Sequence, residues 1–386
     1  MTGDLTGSTL RDLTDAEARL ALPLKWGAVA PGVIPAWVAE MDLALAAVVT
    51  DAVVEAVRRG TAGYPPFGDG GVGPAFAGFA ERHWGWAPPE DAAVVVGDVI
   101  AGIRLVLDEL CPPGPVVVPL PCYPPFREVV ALTGRELVPV VTDPDAEDAA
   151  LDLEAVGRAF ASGASAIVLC NPHNPLGRVP RRAELEALRD LASEHGVRVI
   201  ADEIHGALTL PGATFTPYLS VDPTGILVTS ASKAFNTPGL HCALVVTLDE
   251  GERERLRNVP LPANNGYSPL GMIAAVAAFT DGDEWLASLV ERLDSQRTLL
   301  GRLLRDLLPR AVMRPPEATY LCWVDLRGYG VADVAGPALA HGLRVAPGHE
   351  FQPGLEGHVR LNVATTPERL TAMVERLAAA LRAGGS

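Results

Sequence analysis

The chain has 386 residues, of which 48% are hydrophobic, and its formal net charge is −16. This length is enough for about two domains with a substantial buried core. The acidic balance, with no basic cluster, makes nucleic acid and anionic membranes poor partners. No stretch approaches the ~20 uninterrupted apolar residues of a membrane span, and the N-terminus lacks the apolar segment of a signal peptide. We therefore expect a cytoplasmic protein.

The five cysteines are scattered through the chain, and none of them forms a Cys-x-x-Cys pair. An odd number of cysteines, most of them inside apolar runs, favours free buried thiols over disulfides or zinc. Neither Glu203 nor His205 belongs to a set of metal ligands that can be completed, so no metal site is expected.

The first part of the chain, up to about residue 45, contains turns and aromatic landmarks. A stripe of apolar residues then predicts a helix over 46–59. The run at 68–73 matches the dinucleotide-binding pattern G-x-G-x-x-G, which requires a strand before it and a helix opening on its last glycine. Here a Pro-Pro loop precedes the run and Pro74 follows it. We therefore interpret the run as a loop and reject a nicotinamide dehydrogenase.

From residue 92 onward, short apolar runs alternate with amphipathic stretches. The predicted strands lie at 94–96, 116–118, 137–141, 166–169, 197–201, 226–228 and 243–246. Strands separated by helices imply parallel crossovers, and hence a three-layer α/β/α large domain with a mainly parallel sheet.

After residue 280 the pattern changes to one long helix, with Asp281 as its N-cap, followed by short strands, a helix over 331–341 and a closing helix. This pattern indicates a smaller α+β domain. We predict three parts: an N-terminal segment (1–45) that packs with the small domain, a large ligand-binding domain (46–280) and the small C-terminal domain (281–386).

The stretch SASKAFN at 230–236 follows a predicted strand and leads into residues that continue no regular element. Lys233 is therefore expected at a strand end, against apolar sequence. A poorly solvated ammonium has a lowered pKa, so this amine could act as a nucleophile in Schiff-base chemistry. Ser230 and Ser232 are donors suited to a phosphate. The alternative is a surface lysine in a serine-rich turn.

Other predicted strands also end in groups suited to a ligand. Asp202, Asn174 and Tyr123 each follow a strand, and the segment after strand 94–96 opens a helix whose free N–H groups form an anion site. Taken singly, Asp202 could be a helix cap and Tyr123 a core aromatic. Because ligands bind at the carboxyl ends of parallel strands, we expect these groups to converge on a flat, charged, phosphorylated heteroaromatic aldehyde.

Nine stretches carry a family resemblance over nearly the whole chain. They are KW at 25–26, WVAEMD at 37–42, GYP at 63–65, PCYPPF at 121–126, CNPHNPLGR at 170–178, DEIH at 202–205, SASKAFN at 230–236, ATYLCWVDL at 318–326 and RLNVAT at 360–365. In this order they resemble the fold-type I pyridoxal-phosphate enzymes of the class I/II aminotransferase family, and within it the cystathionine β-lyase or carbon–sulfur lyase subgroup. The resemblance implies pyridoxal 5′-phosphate as the cofactor.

The resemblance also implies roles for individual residues around the cofactor. Lys233 would bind the cofactor aldehyde as a Schiff base, and Asp202 would pair with the pyridinium nitrogen. Asn174 would bind the phenolic oxygen, Tyr123 would stack on the ring, and His205 would lie beside the cofactor or be structural. The phosphate would be held by Ser230, Ser232 and the amides of Val99 and Ile100.

Substrate binding and assembly follow from the same resemblance. Arg360 would bind the substrate carboxylate through two parallel hydrogen bonds from its guanidinium, although taken singly it could be a solvated arginine. Asn174 would also contact the substrate. Tyr64 would reach the substrate and the phosphate of the neighbouring subunit, which implies a homodimer with shared active sites.

Three positions depart from the family pattern. Leu176 stands where threonine is usual, Glu40 where the subgroup usually has aspartate, and His241 where many relatives have a phosphate-binding arginine.

The resemblance implies a β-lyase that cleaves cystathionine or another cysteine S-conjugate to a thiol, pyruvate and ammonia. An aminotransferase is the alternative, because Lys233 could instead return the substrate proton to the cofactor. A regulatory protein that keeps the fold is a third hypothesis, and the retained Lys233, Asp202 and Arg360 argue against it.

Overall fold

The computed structural model describes residues 10–146 and 148–383. The α-helices in this part of the chain are α1 Asp15–Ala21, α2 Ala47–Arg58, α3 Val72–Trp84, α4 Val99–Glu109, α5 Pro125–Leu132, α6 Leu153–Ala161, α7 Arg182–His195, α8 Glu250–Arg257, α9 Pro269–Asp281, α10 Asp283–Leu307, α11 Ala335–Ala340 and α12 Pro367–Ala383. The strands are β1 Ile34–Pro35, β2 Ala93–Val96, β3 Val116–Leu120, β4 Leu137–Val141, β5 Ala166–Cys170, β6 Arg198–Asp202, β7 Ile226–Thr229, β8 Ala243–Val246, β9 Leu321–Asp325, β10 Leu343–Arg344, β11 Ala346–Pro347 and β12 His358–Asn362.

The centre of the fold is a seven-stranded sheet with the order β2-β8-β7-β6-β5-β3-β4. Neighbouring strands are parallel from β7 to β4, and β8 is antiparallel to both of its neighbours. All seven predicted strands are therefore present, and the mainly parallel α/β class is confirmed. Because β8 follows β7 without a crossover helix, their connection can carry the Lys233 loop on the sheet edge where the parallel strands end.

The apolar runs of the sequence form strands that are buried on both faces. In β5, Ala166 and Val168 face one hydrophobic cluster, and Ile167 and Leu169 face another. Helices cover both clusters, for example Ile103 of α4 on one side and Leu188 of α7 on the other. Only the strand ends remain available for polar chemistry.

The C-terminal part contains a three-stranded antiparallel sheet with the order β11-β12-β9. The N-terminal segment joins this part because β1 pairs with β10, with Ile34 opposite Leu343. This pairing supports the three-part division at about residues 45 and 280, which we keep as a proposal.

The interpretation of 68–73 as a loop is wrong for its last two residues. Gly71 has a φ of +87°, and α3 begins at Val72 directly after it. Pro74 is tolerated because it lies in the first turn, where no backbone N–H is needed for the helix. Gly71 thus opens the helix, although the segment before it, around Pro65, is not a strand.

Two further predictions of helix ends were wrong. Asp281 is the last residue of α9, and the N-cap of α10 is Gly282. The predicted helix at 331–341 is shorter, because α11 covers only Ala335–Ala340. Within the described residues, no helix combines the length and apolarity needed to cross a membrane. The five cysteines are free thiols, as predicted.

Candidate active site

Residues that follow β2, β3, β5, β6 and β7 line one cavity of about 460 Å³. Ten of the eleven predicted site residues lie on its wall, and these are Val99, Ile100, Tyr123, Asn174, Asp202, His205, Ser230, Ser232, Lys233 and Arg360. The convergence has a simple cause, since parallel strands bring their carboxyl ends to the same edge of a sheet.

Lys233 lies in the connection between β7 and β8, with its amine inside the cavity. Its Nζ donates a hydrogen bond to the carbonyl of Ala39 at 3.2 Å. Burial and, to a smaller extent, the guanidinium of Arg360 lower the pKa of Lys233 to about 8, while Glu40 and Asp202 oppose the shift. The amine is therefore poorly solvated, as its sequence context predicted, and a surface position is excluded. Its role as a nucleophile stays a prediction.

Asp202 is the last residue of β6 and has Cys170 and Val228 as its neighbours on the two flanking strands. Its Oδ1 accepts a hydrogen bond from the amide of Ile204 at 3.0 Å. Burial raises the pKa of Asp202 to about 7, and the nearby charge of Lys233 acts in the opposite direction. Asp202 caps no helix, because the short helix that follows has His205 as its N-cap.

Arg360 reaches the cavity from β12, in the C-terminal part of the chain. It donates to Asn174 Oδ1 at 3.0 Å and to the carbonyl of Trp37 at 2.7 Å, and it lies 4.7 Å above the ring centre of Phe351. Burial lowers the pKa of Arg360 to about 10, which leaves it cationic at neutral pH. A buried guanidinium held in one orientation is suited to a carboxylate.

The cavity wall also includes an anion site at the start of α4. Val99 and Ile100 are the first two residues of this helix, whose N-cap Asp98 accepts from the amide of Ala101 at 2.8 Å. The amides of the first turn have no partner within a helix and attract negative charge.

The two serines before Lys233 differ in their hydrogen bonds. Ser230 donates its hydroxyl proton to the carbonyl of Cys242 at 2.6 Å and accepts from the amide of Ser232 at 3.0 Å. In this geometry Ser230 organises the turn. Its binding to a phosphate stays a prediction, and it would require the bond to Cys242 to break.

Tyr123 and His205 place aromatic rings on the cavity wall. The ring of Tyr123 packs edge-on against Phe126, with ring centres 5.7 Å apart. Burial lowers the pKa of His205 to about 3, so its imidazole is neutral. His205 Nδ1 is buried and has no hydrogen-bond partner among residues 10–146 and 148–383.

Tyr64 is the predicted site residue that does not reach this cavity. Its side chain is 99% exposed, in the loop before α3. A contact between Tyr64 and the site of a second subunit therefore remains a prediction.

The sequence analysis missed part of the wall. Leu24, Trp37, Glu350 and Phe351 line the cavity, and Glu40, which was noted only as a departure from the family pattern, does so as well. These residues lie in turns and loops far from the central strands in sequence. The one signal was that Trp37 and Glu40 belong to the quoted WVAEMD stretch.

The chain contains two lysines, Lys25 and Lys233. Lys25 is buried and pairs with Asp42, with Nζ 2.8 Å from Oδ1. Of the two side-chain amines, only that of Lys233 faces the cavity.

The raised pKa of Asp202 predicts a pH-dependent cost in stability. The ligand-free folded state keeps the Asp202 proton up to about pH 7, whereas the unfolded chain releases it near 3.8. The free energy of unfolding should therefore fall as pH rises between these values. Asp202→Asn cannot lose this proton, so we expect the ligand-free variant to be more stable than the wild type at pH 8 by about 2–4 kcal/mol. Urea unfolding at pH 4 and pH 8 checks this, and an equal difference at both values would contradict it.

Comparison with known proteins agrees with this architecture. Residues 40–377 match the family "Aminotransferase class I and II", and the chain belongs to this family. The chain is 34% identical to a protein of Corynebacterium glutamicum named cystathionine beta-lyase, over 93% of this chain and 96% of that protein. It is 32% identical to the cystathionine beta-lyase PatB of Bacillus subtilis, over 90% and 92% of the two chains.

A solved structure extends the comparison to three dimensions. The PLP-bound C-S lyase from Staphylococcus hominis superposes with a TM-score of 0.84 at 27% sequence identity, covering 91% of this chain and 94% of that one. The fold-type I architecture expected from the sequence is therefore confirmed.

Proposed function

We propose that this protein is a carbon–sulfur β-lyase that uses pyridoxal 5′-phosphate and releases a thiol, pyruvate and ammonia from cystathionine or another cysteine S-conjugate. The observation that carries the proposal is the position of Lys233 and Asp202, a half-buried amine and a buried carboxylate that face one cavity. Each group has one hydrogen bond to the backbone, and placing opposite charges in a poorly solvated cavity is costly unless a polar ligand also contacts them. The relatives named cystathionine beta-lyase support the choice of reaction.

The residues present fit this cofactor. Arg360 Nε and His205 Nδ1 are buried polar atoms on the cavity wall without a partner in the described chain, which indicates a polar ligand. Lys233 would bind the aldehyde, Asp202 the ring nitrogen and Asn174 the phenolic oxygen. Tyr123 would cover the ring, and the phosphate would meet the first amides of α4.

When bound, pyridoxal phosphate supplies an electron sink for the charge that develops at the substrate's α-carbon. Asp202, as an anion, would keep the ring nitrogen protonated through a charge-assisted hydrogen bond. Arg360 would hold the substrate carboxylate and so orient the α-proton. Lys233, once it is free, would remove that proton, and its lowered pKa of about 8 is suited to a base that works near neutral pH.

An aminotransferase is the second candidate, because the same residues serve both reactions. Incubating the enzyme with cystathionine, without and with an added keto acid, separates the two functions. A lyase releases thiol and pyruvate without the keto acid. Conversion that requires the keto acid and yields no thiol would reject the lyase. Cytoplasmic location, a homodimer and a role for Tyr64 across its interface remain predictions from the sequence.

The carboxylate role of Arg360 leads to a prediction about substrate binding. Arg360→Gln should raise KM by about 10–100-fold with a smaller change in kcat, because a charge-assisted hydrogen bond contributes about 1.5–3 kcal/mol. Initial rates of thiol release over a range of substrate concentrations check this. The matched control is Arg327→Gln, an exposed arginine that pairs with Asp145 and Asp325 away from the cavity. Equal KM values for both variants would contradict the role.

A further inference from the structure

One wall of the cavity, beside Lys233, is formed by the segment that contains Glu40. The carbonyl of Ala39 accepts the hydrogen bond from Lys233 Nζ. The carbonyl of Glu40 accepts from Lys25 Nζ at 2.8 Å and from Asn362 Nδ2 at 2.6 Å. The backbone that carries the Glu40 side chain is therefore held next to the catalytic lysine.

Met41, the residue after Glu40, connects this segment to the Lys233 loop through hydrogen bonds. Asn236 Oδ1 accepts from the amide of Met41 at 2.9 Å, and Asn236 Nδ2 donates to the carbonyl of Met41 at 2.9 Å. Asn236 is three residues after Lys233. The segment and the loop are thus fixed to each other by a buried two-point contact.

Glu40 lines the cavity, and one of its two carboxylate oxygens has no protein partner. Its Oε2 atom is buried, and no group in the described part of the chain forms a hydrogen bond with it. Leaving a buried acceptor unsatisfied costs about 1–3 kcal/mol, and such atoms are rare in native proteins. The unpartnered oxygen indicates a donor that comes from outside the chain.

An unpartnered carboxylate oxygen favours a cationic donor, because a charge-assisted hydrogen bond is stronger than a neutral one. The cations that act on it are Lys25 and Lys233, and Asp42 is the nearby anion. Lys25 is already bound to Asp42. Burial raises the pKa of Glu40, while Lys25 and Lys233 oppose this shift. A carboxylate with a raised pKa is a better proton acceptor than an ordinary one.

We propose that Glu40 receives the α-ammonium group of the incoming amino acid and removes one proton from it. This inference rests on the proposed function, because the amino acid must react where Lys233 is attached. The N–H bond of the ammonium breaks, and the proton passes to a carboxylate oxygen of Glu40. The nitrogen keeps the electron pair and becomes the neutral amine that can act as a nucleophile.

The test compares Glu40→Gln and Glu40→Asp with the wild type, all loaded with pyridoxal phosphate. Stopped-flow absorption follows the cofactor after mixing with an amino-acid substrate at a series of pH values. We expect the rate for Glu40→Gln to fall by about 10²-fold at pH 7, the lower range for a positioned acid or base. The deficit should shrink as the pH approaches the pKa of the ammonium itself. Glu40→Asp should recover most of the rate.

Hydroxylamine provides the control, because it is an amine nucleophile that is mostly uncharged at pH 7. It needs no proton acceptor, so it should react with Glu40→Gln at the rate of the wild type. An equal loss with hydroxylamine and the amino acid, a deficit independent of pH, or no deficit would each overturn the inference. A wild-type protein without a cofactor band attached to Lys233 would instead overturn the proposed function, and this inference with it.

Discussion

Replacing Lys233 by alanine should remove both cofactor attachment and catalysis. The amine is the nucleophile and the base of the proposed reaction, and a positioned base alone contributes about 10²–10⁴-fold. We expect thiol release to fall by at least that factor. Borohydride reduction should fix labelled cofactor on the wild type and not on the variant.

The second lysine of the chain, Lys25, provides an internal control for this labelling experiment. Lys25 is buried in its pair with Asp42, so its peptide serves as an internal control in the same digest. Label on the Lys233 peptide alone supports the assignment, whereas label on the Lys25 peptide contradicts it. Circular dichroism and thermal unfolding check the fold of the variant, which should be kept because the change removes a charge from an apolar site.

The second large effect is expected for Asp202→Asn. The amide has nearly the shape of the carboxyl group, but it cannot hold a proton on the ring nitrogen by charge. Without the protonated ring, the α-carbon charge loses its sink, and we expect kcat to fall by about 10²–10⁴-fold while the protein still binds the cofactor. Initial rates of thiol release and the absorption spectrum of the loaded variant measure the two properties separately.

The direction of the stability change is the control for this variant. The ligand-free Asp202→Asn protein should be more stable than the wild type above pH 7, because it avoids the cost of a buried carboxylate whose pKa is raised to about 7. Lower activity with higher stability is the signature of a residue kept for function. Lower activity with lower stability would mean that the substitution damages the fold.

The sequence predicted the central sheet and most of the site for one physical reason. Continuous apolar runs form strands that are buried on both faces, and the ends of these strands are then the available places for Asp202, Asn174 and Tyr123. Lys233 was recognisable because it follows such a run and precedes residues that form no regular element.

The rest of the site depended on contacts between distant parts of the chain. Trp37 and Glu40 lie in irregular backbone near the N-terminus, where no periodic pattern points to the cavity. The bond between Ser230 and the carbonyl of Cys242 depends on how the turn closes onto β8, and local composition does not encode that contact. The start of α3 at Val72 was missed because Pro74 reads as a break, although a proline is compatible with a first turn.

The positions of the two lysines, one buried in an ion pair and one facing the cavity, affect how the protein reacts with a free aldehyde. Reactive carbonyl compounds ordinarily form adducts with many exposed lysines, and each adduct adds non-specific binding to a titration. Here Lys25 is buried in its ion pair, and the other cationic side chains are arginines, which do not form such adducts under mild conditions. Titration with cofactor should therefore saturate at one side-chain amine per chain, with little background from other side chains.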